Sequence, residues 1–564
     1  MTPHVTIGPS DRLALARRLD WRFLLADPRL DRVLVAGTPD RELVAALEAF
    51  AGTIVVDPTE RADVVVVHAP TAAVVRSAID RVAPGGSIVI ELVGRARPGR
   101  TGQLAAASAG DVAERLHHDG FIDVHASWVW PDHASGLEIV PLDRPALIRL
   151  SLSRRRSGRR ARIKARLLGT AFRLGLGPAL LDATTVVGRR PDVNVPESGI
   201  PAAPLIDAFV GANRARLGLE GLGVGGTSSL LVTPRFQASA HVVALVVPAD
   251  GEAPRVVAKV HRLADATRTL EAEAACLGLL ADRSPDGTAG VPRLIAHEAM
   301  GGHAAIVETA LAGRPLDPTE IRRGRDRAVR DVGAWARSLQ RPGPPDGADD
   351  RWTRLLVPSI AALEHVLADD PTDLALVGRA RDTLAPLASA QLPLTIEHGD
   401  LSHPNLLRLE DHGAPGPGGR SVRTSRTGRT GAIGAIDWEL GEPAGYPLTD
   451  FLFFLGYVAV VTGGKDRATA PDEHARRIGA AFFGDDRWAA AAAEAYVDAA
   501  GIDRTLILPL LVATWVRALA RLTGRLVGEP DLGKGDLGET ADGARLRGHR
   551  YHAIWRTVVE GAAG

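Results

Sequence analysis

The chain has 564 residues, of which 45% are hydrophobic and 24% are charged, so it is long enough for several domains and too apolar to be disordered. Its 67 basic and 67 acidic residues balance, which argues against nucleic acid as a partner. The single cysteine, Cys276, excludes an internal disulfide and a zinc knuckle and favours a cytoplasmic location.

Residues 1–150 alternate short β-branched runs with helical stretches. RVLVA at 32–36, DVVVVH at 63–68 and SIVIELV at 87–93 predict strands, because such runs are typical of buried β-structure. Strands that alternate with helices are typical of parallel βαβ units. We therefore predict a small, doubly wound, Rossmann-like α/β domain in this segment.

Residues 151–204 form a predicted linker that is basic first and apolar afterwards. The stretch 154–181 is compatible with a basic amphipathic helix, which could lie on an anionic membrane or contact a lipid-linked substrate. A solvated connector helix is the simpler alternative and the one favoured here. No apolar run reaches the roughly 20 residues needed to span a bilayer, so we expect no transmembrane segment. The Pro-rich stretch 189–204 marks the predicted main domain boundary.

From residue 205 the pattern changes to strand, loop, strand, turn, strand. SLLVT at 229–233, HVVALVV at 241–247 and RVVAKVH at 255–261 predict the three strands, and a helix follows them. After residue 313 the chain is mostly helical. The polar Gly, Pro, Ser and Arg tract at 410–430 cannot bury enough apolar area to order itself, so we predict a disordered insertion there.

A turn after one predicted strand carries side chains suited to a metal ion. Asp400 and Asn405 are five residues apart on this turn, and Asp437 follows on a later strand of the same hairpin. Carboxylate and amide oxygens suit Mg²⁺, which proteins usually hold with one or two carboxylates plus substrate phosphates. An Asp of such a group that does not bind the metal can accept or orient the proton of a hydroxyl group. The pattern therefore indicates a phosphoryl-transfer site.

The motif H-G-D-x-x-x-x-N at 398–405, followed by I-D-W-E at 436–439 and G-E-P at 441–443, resembles that of the aminoglycoside phosphotransferase and choline-kinase group. The resemblance implies an α+β, bilobal, protein-kinase-like domain, with an N-lobe and hinge at 205–313 and a helical C-lobe at 314–564. It also implies that the γ-phosphoryl group of ATP is moved, with Mg²⁺, to a hydroxyl group of a small molecule.

The same resemblance implies roles for residues of the C-lobe. Asp400 is the catalytic residue that orients or deprotonates the acceptor hydroxyl. Asn405 and Asp437 are the Mg²⁺ ligands. His398 supports the catalytic loop, and Asp450 ties that loop to the following helix.

The resemblance also implies a nucleotide site in the N-lobe. Lys259, on the third strand, binds the α- and β-phosphates. Glu271 and Glu273 compete as its partner, and the A-A-x-L stretch that follows Glu273 favours that residue. Glu308 lies in the predicted hinge, whose backbone meets the nucleotide base.

The loop over the phosphates joins the first two strands of this lobe in the family. That position belongs to the segment 234–240, which lacks glycine, so we assign the phosphate contact to Ser239 and nearby backbone N–H groups. The Gly-rich run at 221–226 is interpreted as a lead-in turn, because a Gly-rich run alone is weak evidence for phosphate binding.

Residues 31–150 resemble a class I methyltransferase domain that uses S-adenosylmethionine. The turn after the first strand has one glycine, Gly37, although close approach to the cofactor needs a Gly-rich turn. Asp57 stands where family members bind the ribose hydroxyls, but only five residues separate it from the next strand. We therefore expect a shortened, inactive domain that does not bind S-adenosylmethionine.

The function predicted from the sequence is an ATP- and Mg²⁺-dependent phosphotransferase fused to an inactive methyltransferase-like domain. One alternative is a pseudokinase scaffold that binds nucleotide without transfer, and another is a bifunctional methyltransferase and kinase. The acceptor, which resembles an aminoglycoside, choline or a sugar, stays open, as does the oligomeric state.

Overall fold

The computed structural model describes residues 9–57, 59–94, 104–154, 159–192, 204–217, 219, 226–233, 239–249, 251–264, 266–283, 290–343, 350–410, 432–463, 470–527 and 543–562. Contacts divide the chain into two compact units. The first unit comprises Met1–Thr267 and Ile295–Ala310, and the second comprises Arg268–Leu294 and Leu311–Gly564.

The first unit is built on one twelve-stranded mixed sheet. Its strands, in chain order, are β1 (Arg32–Gly37), β2 (Thr53–Ile54), β3 (Ala62–His68), β4 (Val82–Val93), β5 (Ile122–Trp130), β6 (Glu138–Pro141), β7 (Ala183–Arg189), β8 (Thr227–Val232), β9 (His241–Pro248), β10 (Val256–His261), β11 (Leu294–Met300) and β12 (His303–Thr309). Its helices are α1 (Pro9–Arg18), α2 (Arg41–Phe50), α3 (Ala72–Asp80), α4 (Ala109–His118), α5 (Pro145–Arg154), α6 (Arg159–Arg173) and α7 (Leu205–Ala212).

The spatial order of the strands is β11, β12, β10, β9, β8, β6, β5, β7, β4, β3, β1, β2. The pairs β2 with β1, β1 with β3 and β3 with β4 are parallel. Helices α2 and α3 make the crossovers that parallel strands need, and the side chains of Asp40 and Thr71 cap their N-termini. Strand β3 is buried on both faces, which explains its unbroken valine run.

The structure differs from the predicted division of the chain at 151–204. Residues Ala183–Arg189 form β7, which pairs with both β4 and β5 inside the sheet. In addition, Ile139 of β6 lies opposite Leu231 of β8, so the N-terminal strands continue into those of the predicted N-lobe. The boundary predicted at 189–204 therefore lies within one compact unit, because the Pro-rich stretch follows a core strand instead of separating two domains.

The second unit is mainly helical. Its short strands are β13 (Gly313–Pro315), β14 (Gln340–Arg341), β15 (Leu394–Glu397), β16 (Leu406–Leu409), β17 (Ile433–Ala435) and β18 (Glu442–Gly445). Its helices are α8 (Arg268–Arg283), α9 (Pro318–Arg323), α10 (Arg325–Ser338), α11 (Val357–Val366), α12 (Pro371–Leu384), α13 (Thr449–Thr462), α14 (Pro471–Phe483), α15 (Trp488–Ala500), α16 (Ile507–Val527), α17 (Gly543–Arg547) and α18 (Arg550–Gly561).

The centre of the second unit is a large apolar core that includes Trp438, Phe454 and Trp555. Strand β16 pairs with β13 and β17, and β15 pairs with β14 and β18. These two small sheets fix the ends of the turn between β15 and β16. Apart from Glu410, the insertion predicted at 410–430 lies outside the described residues.

Among the described residues, one helical stretch, Arg504–Thr523, is long and apolar enough to cross a bilayer by length and composition alone. Its mean hydropathy is 1.6, and 67% of the window is buried inside the fold. Leu511, Trp515 and Leu519 of this stretch belong to the core of the second unit. The core helix of a folded domain satisfies the same test, so the stretch is weak evidence for a membrane span.

Candidate active site

The turn between β15 and β16 holds Asp400 and Asn405 against each other. The Asn405 side chain donates from Nδ2 to the Asp400 carbonyl oxygen at 3.1 Å and to Asp400 Oδ2 at 3.3 Å. Ser402 Oγ donates to the other carboxylate oxygen of Asp400 at 3.2 Å. Asp400 is half-buried and Asn405 is buried. The two residues that the sequence singles out are thus neighbours, and the Asp400 carboxylate is partly open to solvent.

A half-buried carboxylate fixes the start of this turn. Asp450, in the first turn of α13, accepts from the backbone N–H of His398 at 2.6 Å and of Gly399 at 2.8 Å. Burial, followed by the charge of Glu397, raises the pKa of Asp450. His398 Nε2 lies 2.8 Å from the carbonyl oxygen of Ile436. These contacts agree with the supporting roles that the resemblance implies for His398 and Asp450.

Gly399 occupies a position that other residues would strain. Its φ is +82°, and a Cβ atom there would clash with the carbonyl oxygen of Leu440. Only glycine adopts this left-handed conformation without cost. The glycine of the motif therefore lets the chain turn sharply just before Asp400.

Asp437 is placed beside the same turn by the backbone. The N–H of Ile436 donates to the carbonyl oxygen of Asn405 at 3.0 Å, which brings the next residue, Asp437, close to Asn405. Asp437 itself has a φ of +71°, an uncommon conformation that is found at functional turns. Asp400, Asn405 and Asp437 thus come from one small region of the second unit.

Glu273 of α8 also contacts this region. It is fully buried, and its Oε1 accepts from the backbone N–H of Trp438 at 2.9 Å. Glu271, the competing carboxylate, is exposed on the same helix. The structure therefore separates the two candidates by burial, and it gives Glu273 a contact next to Asp437 that the sequence did not predict.

A buried ion pair lies under the start of the turn and was also missed by the sequence analysis. Arg517 Nη1 donates to the two carboxylate oxygens of Glu397 at 2.7 and 2.6 Å. Arg521 Nη1 donates to the carbonyl oxygen of Gly399 at 2.8 Å. Glu397 immediately precedes the H-G-D motif, which is the one sequence signal that could have drawn attention to it.

The remaining predicted site residues belong to the first unit. Lys259 is a buried residue of β10 and lies opposite Ile306 of β12. Glu308, also buried, lies opposite Val257, so Lys259 and Glu308 point to the same face of the sheet in a diagonal arrangement. The Gly-rich residues 221–225 and the loop residues 234–238 lie outside the described residues.

Of the predicted phosphate loop at 234–240, the structure describes Ser239 and Ala240. Its Oγ lies 3.4 Å from the carbonyl oxygen of His241, and its own carbonyl oxygen accepts from Nη1 of Arg262. Arg262 follows β10 directly, three residues after Lys259. Ser239 is therefore held by the chain next to the lysine strand.

The donor set of the second unit fits a hard divalent cation. Because the Asn405 amide nitrogen faces Asp400, its amide oxygen faces away and can serve as a ligand together with the Asp437 carboxylate. Mg²⁺ usually takes one or two protein carboxylates and completes its shell with water and phosphate oxygens. Among the residues that the structure describes, no group of three or more His, Cys, Asp or Glu side chains forms a metal cluster.

The carboxyl ends of the parallel strands in the first unit are filled by protein side chains. Gly37, His68 and Glu91 stand side by side there, on β1, β3 and β4. Arg18 of α1 makes two 2.6 Å hydrogen bonds to the Glu91 carboxylate and one of 3.0 Å to Asp40. In open α/β sheets this edge is the ligand-binding crevice, so here a buried guanidinium lies where a cofactor would bind.

Comparisons with known proteins address residues of both units. Residues 235–416 match the family model described as the phosphotransferase enzyme family, APH. This range contains Lys259, Glu273, Asp400 and Asn405, and it ends before Asp437. A comparison with curated proteins found no match.

Solved structures similar to this chain include aminoglycoside phosphotransferase APH(3'')-Id from Streptomyces rimosus, with 20% identity over 56% of this chain and 98% of that one and a TM-score of 0.33. Amicoumacin kinase hAmiN has 14% identity over 61% and 93% of the two chains, with a TM-score of 0.34. A choline/ethanolamine kinase family protein from Mesorhizobium loti has 16% identity over 63% and 100%, with a TM-score of 0.27.

The family match confirms the resemblance that the H-G-D-x-x-x-x-N motif indicated. It does not extend to the N-terminal residues, for which the methyltransferase resemblance stays a prediction. Residues 235–416 of this chain therefore match the phosphotransferase enzyme family, APH.

Proposed function

We propose that the chain is an ATP- and Mg²⁺-dependent kinase that phosphorylates a hydroxyl group of a small molecule. The observation that carries this proposal is the hydrogen-bonded arrangement of Asp400 and Asn405, next to Asp437, inside a domain of a phosphotransferase family. The relatives named above act on aminoglycosides, amicoumacin or, by their family name, choline and ethanolamine. A small-molecule acceptor that carries a hydroxyl group is therefore part of the proposal and is left for the experiment to identify.

In this mechanism Asp400 acts on the acceptor. Its carboxylate accepts the proton of the hydroxyl group while the hydroxyl oxygen forms a bond to the γ-phosphorus of ATP and the bond between that phosphorus and ADP breaks. The hydrogen bonds from Ser402 and Asn405 hold the carboxylate in one orientation, so little reorganisation is needed during transfer. Asn405 and Asp437 would hold Mg²⁺, which neutralises charge on the phosphates.

The N-lobe residues keep the roles that the resemblance implies. Lys259 would bind the α- and β-phosphates, Ser239 would contact the phosphates, and the chain at Glu308 would meet the base. Glu273 would support the site, because its Oε1 accepts a hydrogen bond from the backbone N–H of Trp438, next to the proposed metal ligand Asp437. These assignments rest on the family resemblance together with the burial of Lys259, Glu273 and Glu308.

The proposal is tested by measuring ADP release from purified protein with ATP and Mg²⁺ against a panel of hydroxyl acceptors that includes streptomycin, glucosamine and choline. Loss of a positioned general base reduces turnover by about 10²–10⁴-fold, which is the effect expected of Asp400→Asn. Asp437→Ala should abolish the Mg²⁺-dependent release of ADP. The matched control is Asp382→Ala, an exposed carboxylate on α12, which should leave turnover unchanged.

Two outcomes would contradict the kinase assignment. Wild-type rates in Asp400→Asn would show that the turn is not the catalytic centre. Tight ATP binding without acceptor-stimulated ADP release across a broad panel would favour the pseudokinase scaffold.

We also propose that the N-terminal residues do not bind S-adenosylmethionine. The buried Arg18 guanidinium lies in the crevice that such a cofactor would need, held by the fully buried Glu91. The residues present therefore do not fit the cofactor, and no methyl transfer is derived for them. Isothermal titration with S-adenosylmethionine should show no binding, and saturable binding would support the bifunctional alternative.

A further inference from the structure

The segment 151–181 concentrates positive charge in a chain whose overall charge is zero. It contains nine Arg and Lys residues and no Asp or Glu. In the described part of the segment, Lys164, Arg166 and Arg173 are exposed on α6. Such a cluster creates a local positive potential that the net charge of the protein hides.

The same segment also exposes apolar side chains. Of the nine large hydrophobic residues that are exposed in the described parts of the chain, five lie between 163 and 180. They are Ile163 (50% exposed), Leu167 (67%), Leu174 (68%), Leu176 (59%) and Leu180 (45%). Scattered apolar residues are normal on a protein surface, but a contiguous group marks an interaction site.

These side chains are not the face by which α6 packs on its own unit. Ala165 is buried, and Leu168 and Phe172 pack in a cluster with Trp128 and Leu152. Ile163 and Leu167 are one turn apart on a different face of the helix. Helix α6 therefore has two apolar faces, and the fold uses only one of them.

We name the exposed side of α6, together with the segment up to Leu180, the basic face; it carries the exposed apolar side chains listed above and the basic residues beside them. We propose that the basic face docks on the surface of an anionic lipid bilayer. A helix with apolar residues on one side and flanking Lys and Arg lies in the plane of a membrane interface. Each basic residue near an anionic surface contributes about 1 kcal/mol, which is about five-fold in affinity. Charge complementarity, together with insertable leucines, selects an anionic bilayer as the occupant. This proposal does not depend on the kinase assignment.

The test is co-sedimentation of the full chain with phosphatidylcholine vesicles that either contain or lack phosphatidylserine. Binding should require phosphatidylserine and weaken at high salt. Lys164→Gln and Arg166→Gln should each weaken binding by about five-fold, and Leu167→Gln with Leu174→Gln should weaken it further. Leu374→Gln, an exposed leucine of the second unit, is the matched control and should bind like the wild type. All of these positions are exposed, so thermal melting should be unchanged.

Three results would overturn the proposal. One is the absence of binding to phosphatidylserine vesicles, and another is equal binding to both vesicle types. The third is self-association that Leu167→Gln with Leu174→Gln abolishes while vesicle binding is absent, which would show that a second copy of the chain covers the basic face.

A second, independent observation concerns buried charges between α1 and the strands of the predicted N-lobe. Asp20, in a 3₁₀ helix at Asp20–Leu24, forms two 2.8 Å hydrogen bonds to the guanidinium of Arg262. Both side chains are almost fully buried. Asp20 also accepts from Thr233 Oγ1 at 2.6 Å, and Arg262 donates to the carbonyl oxygen of Ser239.

These contacts join the ends of three strands. Thr233 directly follows β8, Ser239 precedes β9, and Arg262 directly follows β10, the strand of Lys259. Ser239, which contacts Arg262, is the residue to which the family resemblance assigns a phosphate contact. We infer that Asp20 and Arg262 are positioning residues for ATP, a conclusion that rests on the proposed kinase function.

The test compares Asp20→Asn with Glu91→Gln in the full chain. Both changes remove a buried carboxylate from an arginine, Arg262 in the first case and Arg18, which keeps its contact with Asp40, in the second, so Glu91→Gln controls for the loss of a buried charge in this unit. Only Asp20→Asn should raise the KM for ATP, by up to about 10²-fold, with a smaller change in kcat. Asp20→Glu, which keeps the charge, should recover part of the loss.

The outcomes separate this inference from the proposed function. Absence of ATP turnover in the wild type would refute the kinase assignment itself. An active wild type together with an unchanged KM for ATP in Asp20→Asn, or an equal rise in Glu91→Gln, would overturn the positioning role alone.

Discussion

Removing Arg517 should destabilise the second unit because it leaves the Glu397 carboxylate buried without its counter-ion. The two side chains are 7% and 2% exposed, and Arg517 Nη1 lies within 2.7 Å of both carboxylate oxygens. Breaking such a buried pair costs about 3–5 kcal/mol. Arg521 Nη2 stands 4.0 Å from Glu397 and compensates part of the charge, so we expect Arg517→Met to cost about 3 kcal/mol.

Urea denaturation, followed by tryptophan fluorescence, measures this change in the free energy of unfolding. A loss of 3 kcal/mol corresponds to a fall in Tm of about 6–12 °C for a unit of this size. The double variant Glu397→Gln with Arg517→Met should recover much of the loss, because it removes both charges. Arg504→Met, which breaks an exposed pair with Asp498, is the control and should leave the free energy of unfolding almost unchanged, because water screens exposed charges.

The reasoning would be refuted if Arg517→Met lost no more stability than Arg504→Met. It would also fail if the double variant were less stable than the single one, since the stranded charge would then not be the cause.

Three further predictions follow from single groups. Burial raises the pKa of Asp207 to about 6, so the folded chain binds this proton more tightly than the unfolded chain and loses stability as the pH rises from about 4 to 6. In denaturation series against pH, Asp207→Asn should have the same free energy of unfolding as the wild type below pH 4. Above pH 6 the variant should be more stable, by at most about 3 kcal/mol. Gly399→Ala should cost about 1–3 kcal/mol, because it puts a side chain at positive φ against the carbonyl of Leu440, and it should slow turnover through displacement of Asp400; unchanged melting and kinetics would contradict this. Burial raises the pKa of the Cys276 thiol, so iodoacetamide should modify the native chain only as fast as the second unit unfolds, and fast labelling under native conditions would disprove the burial.

The turn that carries Asp400 and Asn405 could be predicted from the sequence because the proposed chemistry demands fixed residue types at a fixed spacing on one short segment. The burial difference between Glu271 and Glu273 was also accessible, since residues two apart on a helix face different directions. The hydrogen-bond and ion-pair partners of the residues around the site could not be predicted from the sequence. Arg517 is 120 residues from Glu397 and Arg262 is 242 residues from Asp20, and no local pattern pairs charges at such separations.

Most strands of the sheet were predicted, but the pairing that joins the N-terminal strands to those of the predicted N-lobe was not. Short β-branched runs mark most of the strands, but the pairing of β6 with β8 joins residues about 90 positions apart, and strand pairing at that distance depends on tertiary context. Strand β7 was overlooked because a Pro-rich stretch follows it directly. Composition near a strand can thus suggest a linker where the fold places a central strand.

The pairing of β6 with β8 also determines whether the phosphotransferase domain can be expressed without the N-terminal residues. A strand at the edge of a sheet presents unpaired N–H and C=O groups that recruit strands from other chains. Strand β8 carries the buried Leu230 and Leu231 and has β6 on one side and β9 on the other. A fragment that begins at residue 205 would lack β6, expose this apolar edge and therefore aggregate on expression. The N-terminal residues and the phosphotransferase domain should therefore be needed together for a soluble product.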